Sequence, residues 1–248
     1  MEEWIVALLA VGLLVAAFGY AAVGHGGASA YIAAMALAGI APAEMRPIAL
    51  LLNVLVSSLG SWKFFRAGFF RWRLFWPFAV VSIPMAYLGG AVTLPGNAYK
   101  ILVGVVLLYA AWQLWRSGRS GEEMREVREP PLGWAMLIGA GMGLLAGLTG
   151  VGGGIFLSPL LLILGWAGTK QTSAVAAPFI LVNSLAGLAA GFITKSASLP
   201  GYVAILAPAV LIGGWLGAEY GSRRFANPLV RRLLAVVLAL AGAKMISV

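Results

Sequence analysis

Residues 147–159 read GLTGVGGGIFLSP, five glycines among thirteen residues, set between apolar runs. Residues 19–31 read GYAAVGHGGASAY, a related stretch offset by 128 positions, in which His25 takes the place of Gly153. Such clusters punctuate structure. One that breaks an apolar run and opens a new helix exposes that helix's first N–H groups and its roughly half positive charge. This is an anion site made of backbone, and it needs no buried lysine. The expected binding residues are therefore Gly24, His25, Gly26 and Gly27 facing Gly150, Gly152, Gly153 and Gly154. Ser29 and Thr149 are placed to add hydroxyl donors. The competing reading is that the glycines let membrane helices pack closely, as Gly139, Gly141, Gly143, Gly147, Gly213, Gly214 and Gly217 are expected to do.

The elements that must position these residues are membrane helices. Apolar residues make up 61% of the 248 and charged residues 10%, far from a soluble domain. Apolar runs at 4–23, 48–62, 74–92, 101–115, 132–148, 175–193, 202–217 and 229–246 are of membrane-crossing length or nearly so. Two shorter segments, 28–39 and 155–166, follow the glycine clusters and reach only about 18 Å. The acidic start, Met1-Glu2-Glu3-Trp4, is unlike a secretory signal, so the first run reads as a retained helix. The fold class is an all-α polytopic membrane protein with two homologous halves in an inverted repeat. It has about eight full-length transmembrane helices and two short interrupted or re-entrant ones. The expected units are an N-terminal repeat at 1–116, a charged cytoplasmic linker at 117–131 and a C-terminal repeat at 132–248.

Charge distribution chooses the topology. With ten segments and both termini outside, thirteen cations fall on one side, in the clusters around Lys63, Arg116 and Arg223 and at Lys170. Only Arg46, Lys100, Lys195 and Lys244 fall on the other. The positive-inside rule favours this arrangement over a parallel four-plus-four repeat. The net charge of +9 is explained in the same way, with no call on nucleic acid. Inverted repeats with matched, broken helices point to secondary transporters whose site lies where the breaks meet.

Composition then excludes classes. The chain has one histidine, no cysteine and no aspartate, so catalytic acid–base pairs and metal clusters cannot be assembled. Of eight glutamates only Glu44 and Glu219 lie near membrane segments, too few for a cation carrier. No phosphate-binding loop with lysine occurs, so ATP does not drive it. No enzyme activity and no cofactor are expected.

Residues 147–165, followed by Thr172 and Ser173, resemble the signature of the TauE/SafE sulfite and organosulfonate exporter family. The resemblance rests on Gly150, Gly152, Gly153, Gly154, Pro159, Leu161, Thr172 and Ser173. The first half departs from it, with Tyr31 in place of the proline and Met45-Arg46-Pro47 where Thr-Ser belongs. The resemblance implies movement of small sulfur oxyanions or C2 sulfonates, usually outward, in the cell (inner) membrane.

Other polar residues carry open readings. Asn53 and Asn183 sit mid-segment at matching places, either bonding between helices or lining the path. Thr172 and Ser173 either cap the helix starting there or touch the ligand. His25 either adds charge and a proton-linked group, with a reference pKa of ~6.5, or fills space. Arg46 reads as a surface partner of Glu44. Trp62, Trp72, Trp76, Trp112, Trp115 and Trp215 read as interfacial residues. The expected partners are a small inorganic or organic anion, the lipid bilayer, protons as coupling ion and a second copy in a homodimer. Rival functions are an anion channel, an uptake permease and an accessory subunit.

Overall fold

A computed structural model describes residues 3–117, 129–195, 199–223 and 228–247. These form ten α-helices, with no strand among the described residues. In order they are α1 (Glu3–Ala21), α2 (Ala28–Leu37), α3 (Pro42–Arg66), α4 (Trp72–Ala91), α5 (Gly96–Ser117), α6 (Leu132–Thr149), α7 (Gly154–Ile163), α8 (Thr169–Lys195), α9 (Val203–Arg223) and α10 (Pro228–Ser247). Seven are long and apolar enough to cross a membrane: α1, α3, α4, α5, α6, α8 and α9. The eighth expected span is α10, 20 residues long, with a described apolar stretch over Leu234–Ser247. The chain is a multi-pass membrane protein. Of the linker expected at 117–131, residues 118–128 lie outside the described residues, among them Arg119, Arg125 and Arg128.

Two helices begin earlier than their apolar runs. α3 starts at Pro42 and α8 at Thr169, so both open with a polar turn. Proline at the first helical position is preorganised, and Glu44 in the first turn suits the helix dipole.

The short helices have 10 residues each, hence about 15 Å. Both start after a left-handed glycine, Gly27 at φ 96° and Gly153 at φ 82°. Both stop at another, Gly39 at φ 78° and Gly165 at φ 66°. Ile40 N–H bonds the Met35 carbonyl and Trp166 N–H bonds that of Leu161, a Schellman stop at each end. Gly24 at φ 76° matches Gly150 at φ 85°. These pairs place the breaks in register at an offset of 126 rather than 128. His25 therefore matches Val151 and not Gly153, and Ala33 rather than Tyr31 matches Pro159.

Helix directions follow from close contacts. Gly139, Gly143 and Gly147 of α6 lie against the backbone of Phe78, Ser82 and Ala86 of α4, so these helices run parallel. Gly213, Gly217 and Gly221 of α9 lie against Leu14 and Phe18 of α1 and against Ala22 just after it, again parallel. By contrast Asn53 and Gly60 of α3 meet Ser184 and Ala177 of α8, which is antiparallel. Gly104 and Leu108 of α5 meet Ile246 and Gly242 of α10, also antiparallel. Thus α1 packs along α9, and α4 along α6.

The packing expectation holds for most of the helical glycines named for it. A Cβ on Gly143 would fall 2.2 Å from the Ser82 carbonyl oxygen, and one on Gly217 2.2 Å from that of Phe18. Gly141 is the exception, with nothing within 4 Å of such a Cβ. Gly217→Ala is expected to lower the melting temperature in detergent by several degrees. Gly141→Ala should leave it level or raise it, since glycine costs a helix roughly 0.5–1 kcal/mol relative to alanine. Equal losses in both variants would contradict this packing.

Candidate functional site

Both glycine breaks converge on one side chain, Asn53, which is fully buried in the middle of α3. Its Oδ1 accepts from the Ala28 N–H at 3.2 Å, the first N–H of α2. Its Nδ2 donates to the Val151 carbonyl at 3.3 Å and to the Ser184 hydroxyl at 3.2 Å. One amide therefore caps a helix from the first half, holds the break of the second and ties α3 to α8. Close approach demands glycine on both sides. A Cβ on Gly26 would lie 2.0 Å from Asn53 Oδ1, and one on Gly152 2.3 Å from Asn53 Nδ2. Gly154 packs on Ile180.

Each short helix keeps N–H donors to spare. The N–H groups of Ser29, Ala30, Gly154 and Ile155 have no acceptor among the described residues. All four residues are buried. Around α2 the hydroxyls are internally paired. Ser29 donates to the Tyr20 oxygen at 2.8 Å, and Tyr31 donates to the Gly26 carbonyl at 2.7 Å. A Cβ on Gly27 would fall 2.7 Å from the Tyr31 ring, so that glycine makes room for it. Tyr20 and Tyr31 are the partners sequence reasoning missed, because an aromatic in an apolar run carries no signal of where its hydroxyl lands.

The other expected residues divide. Thr149 donates to Leu145 at 2.7 Å and accepts from the Val151 N–H at 3.3 Å, so its hydroxyl shapes the second break. Ser173 donates to the Val23 carbonyl at 2.9 Å, joining α8 to the first break, and its backbone is where a Cβ on Gly24 would land. Neither Thr172 nor Ser173 caps α8, because that helix begins earlier, at Thr169. The Thr172 hydroxyl is buried with no partner among the described residues. Asn183 does not repeat the role of Asn53. Its Nδ2 donates within its own helix to Phe179 at 2.8 Å, and its buried Oδ1 has no partner among the described residues.

His25 is half-buried at the first break. Its Nδ1 lies 3.0 Å from the Val23 carbonyl oxygen and donates to it. The ring meets Tyr20 edge-on at 6.2 Å between centroids.

Arg46 corrects an expectation. It makes no pair with Glu44, whose carboxylate accepts from the Tyr202 hydroxyl at 2.9 Å. Burial, and then the bond to Glu44, hold that phenol's pKa above its ordinary value, so it remains a donor. Arg46 instead donates to the carbonyls of Gly89, Gly90 and Val92 at the end of α4. Its Cγ lies 3.2 Å from a Cβ built on Gly150. At the second break it thus stands where Ser173 stands at the first. The other membrane carboxylate, Glu219, pairs with Lys63, whose ammonium lies 4.0 Å from the centre of the Trp215 ring.

Comparison with known proteins gives a consistent result. The family described as sulfite exporter TauE/SafE matches residues 8–245. A protein of Sinorhizobium fredii (strain NBRC 101917 / NGR234), titled "Probable membrane transporter protein y4hK", is 40% identical over 240 residues, covering 96% of this chain and 97% of its own. No solved structure matches. The match spans both glycine breaks and every helix that meets them, and the chain belongs to the TauE/SafE family of membrane transporters.

Proposed function

We propose that the chain moves small anions of the sulfite and C2-sulfonate class, outward, by alternating access of two inverted halves. The observation that carries this reading is the convergence at Asn53 of two half-length helices, one from each half, with buried N–H donors left over. An oxyanion brings the acceptors that these donors lack, and two helix N-termini supply positive potential without a buried lysine. The antiparallel pairs α3–α8 and α5–α10, beside the parallel pairs α1–α9 and α4–α6, support an inverted repeat. A parallel repeat would run α3 with α8 and α5 with α10. Both membrane carboxylates are already engaged, which favours an anion over a cation as cargo.

Energy supports export. An interior-negative potential of 100 mV does about 2.3 kcal/mol of work on a monovalent anion, which sustains roughly a 40-fold outward gradient. In proteoliposomes, sulfite efflux is expected to speed up when the interior is made negative and to show saturable counterflow. Flux indifferent to potential would sink the electrogenic form of this reading, and flux without counterflow would make the chain a channel.

A further inference from the structure

We propose that Arg46 forms a second anion station, at the mouth of the α6–α7 break, which meets the substrate on one face of the membrane only. This rests on the anion-transport reading and adds to it a one-sided, charge-assisted step.

The two breaks are related in fold but not in charge. At the first, Gly24 lies against Ser173. At the second, Gly150 lies against Arg46. Glycine at 150 lets the arginine stem run directly along the break, with its guanidinium at the end of α4. There the guanidinium uses three of its five donors, on Gly89, Gly90 and Val92. The rest remain for another acceptor, and the bond to Val92 lies at an exposed position. Tyr99 closes the same corner, its hydroxyl donating to the Thr149 carbonyl at 3.2 Å. No carboxylate neutralises this cation among the described residues, since Glu44 turns to Tyr202.

Closing off a helix end explains the three carbonyl bonds, and the dipole at the C-terminus of α4 repays part of the cost of the charge but leaves its spare donors unused. A charge in a membrane span is costly, and neutral groups can satisfy helix-terminal carbonyls. A sulfite or sulfonate presents oxygens in the spacing a guanidinium fork recognises, and such bonds outrank those to neutral carbonyls. An anion arriving from the side where α4 ends would meet Arg46 before it reaches the α7 N-terminus.

The test is sided transport kinetics on the full chain in proteoliposomes, with wild type, Arg46→Gln and Arg46→Lys. Arg46→Gln is expected to raise KM for sulfite offered on the α4-end face by about ten-fold, the loss of one charge-assisted contact. KM from the opposite face should stay within about two-fold of wild type, and Arg46→Lys should recover part of the loss. If Arg46 only holds α4, Vmax and melting temperature fall from both faces while both KM values stand, and the proposal is overturned. A second measurement needs neither a variant nor transport. Arg46 is the one arginine expected on its face, beside Lys100, Lys195 and Lys244. An impermeant arginine reagent applied there should modify wild type more slowly with sulfite present. Absence of protection overturns the station, whereas a wild type that is protected yet moves no sulfite overturns the transport reading instead.

Discussion

Asn53→Leu is expected to abolish anion flux and most of the folded yield. Leucine fills the volume but leaves the Ala28 N–H, the Val151 carbonyl and the Ser184 hydroxyl without the bonds that Asn53 makes. Each buried group left unpaired costs about 1–3 kcal/mol, against a total stability of roughly 5–15 kcal/mol for a typical domain. Asn53→Asp separates structure from transport. Its carboxyl keeps an acceptor for the Ala28 N–H, and when protonated it regains a donor. When ionised it places a negative charge where the substrate is proposed to sit. Flux of a C2 sulfonate, whose own charge is constant across this range, should be low at high pH and recover as pH falls and the new carboxyl protonates. The sign is fixed by repulsion, since only the deprotonated form competes with the anion. A folded Asn53→Asp protein that moves sulfonate like wild type at every pH would show that the path avoids Asn53.

Gly152→Ala is the second change with a large expected effect. Gly152 has φ 79°, and a Cβ there would lie 2.3 Å from Asn53 Nδ2 and 2.9 Å from Ser184 Oγ. The methyl group therefore adds backbone strain and displaces the amide that joins the two halves. Gly39→Ala is its control, because Gly39 has φ 78° but nothing within 4 Å of a Cβ. The control isolates the strain, about 1–2 kcal/mol for a side chain in the left-handed region. In detergent melts and flux assays, Gly39→Ala should retain most activity while Gly152→Ala loses nearly all of it. Equal, modest losses in both would mean that only backbone conformation matters at Gly152 and that contact with Asn53 does not.

Much of the fold was legible in the sequence because membrane helices announce themselves by apolar runs and glycine breaks by composition. The two short helices were visible through Gly24–Gly27 and Gly150–Gly154. Their register was not, since matching letters aligned His25 with Gly153, whereas the left-handed glycines align it with Val151. The starts of α3 and α8 were hidden because Glu44, Arg46, Lys170 and Gln171 look like loop residues until their partners are known. Arg46 shows why. The carbonyls it serves lie 43 to 46 residues away, across a helix and a turn, and no local pattern encodes them. Asn53 and Asn183 match only at a looser spacing; in the register of the left-handed glycines Asn53 answers Phe179 and Asn183 answers Ser57, about one helical turn away, and only Asn53 reaches a short helix.

The pairing of α1 with α9 bears on how the chain is made. α1 leaves the ribosome well ahead of its packing partner α9, which lies far along the chain. At about 5–20 residues per second the wait is on the order of 10–40 s. Throughout it, the surface at Leu14, Phe18 and Ala22 is expected to face lipid, or an insertion chaperone, where Gly213, Gly217 and Gly221 will later lie. The helices that precede α9 therefore cannot complete their packing until it has been made. Assembly is expected to be concerted and late, with the contact order of the bundle, rather than the insertion of any one helix, setting its pace.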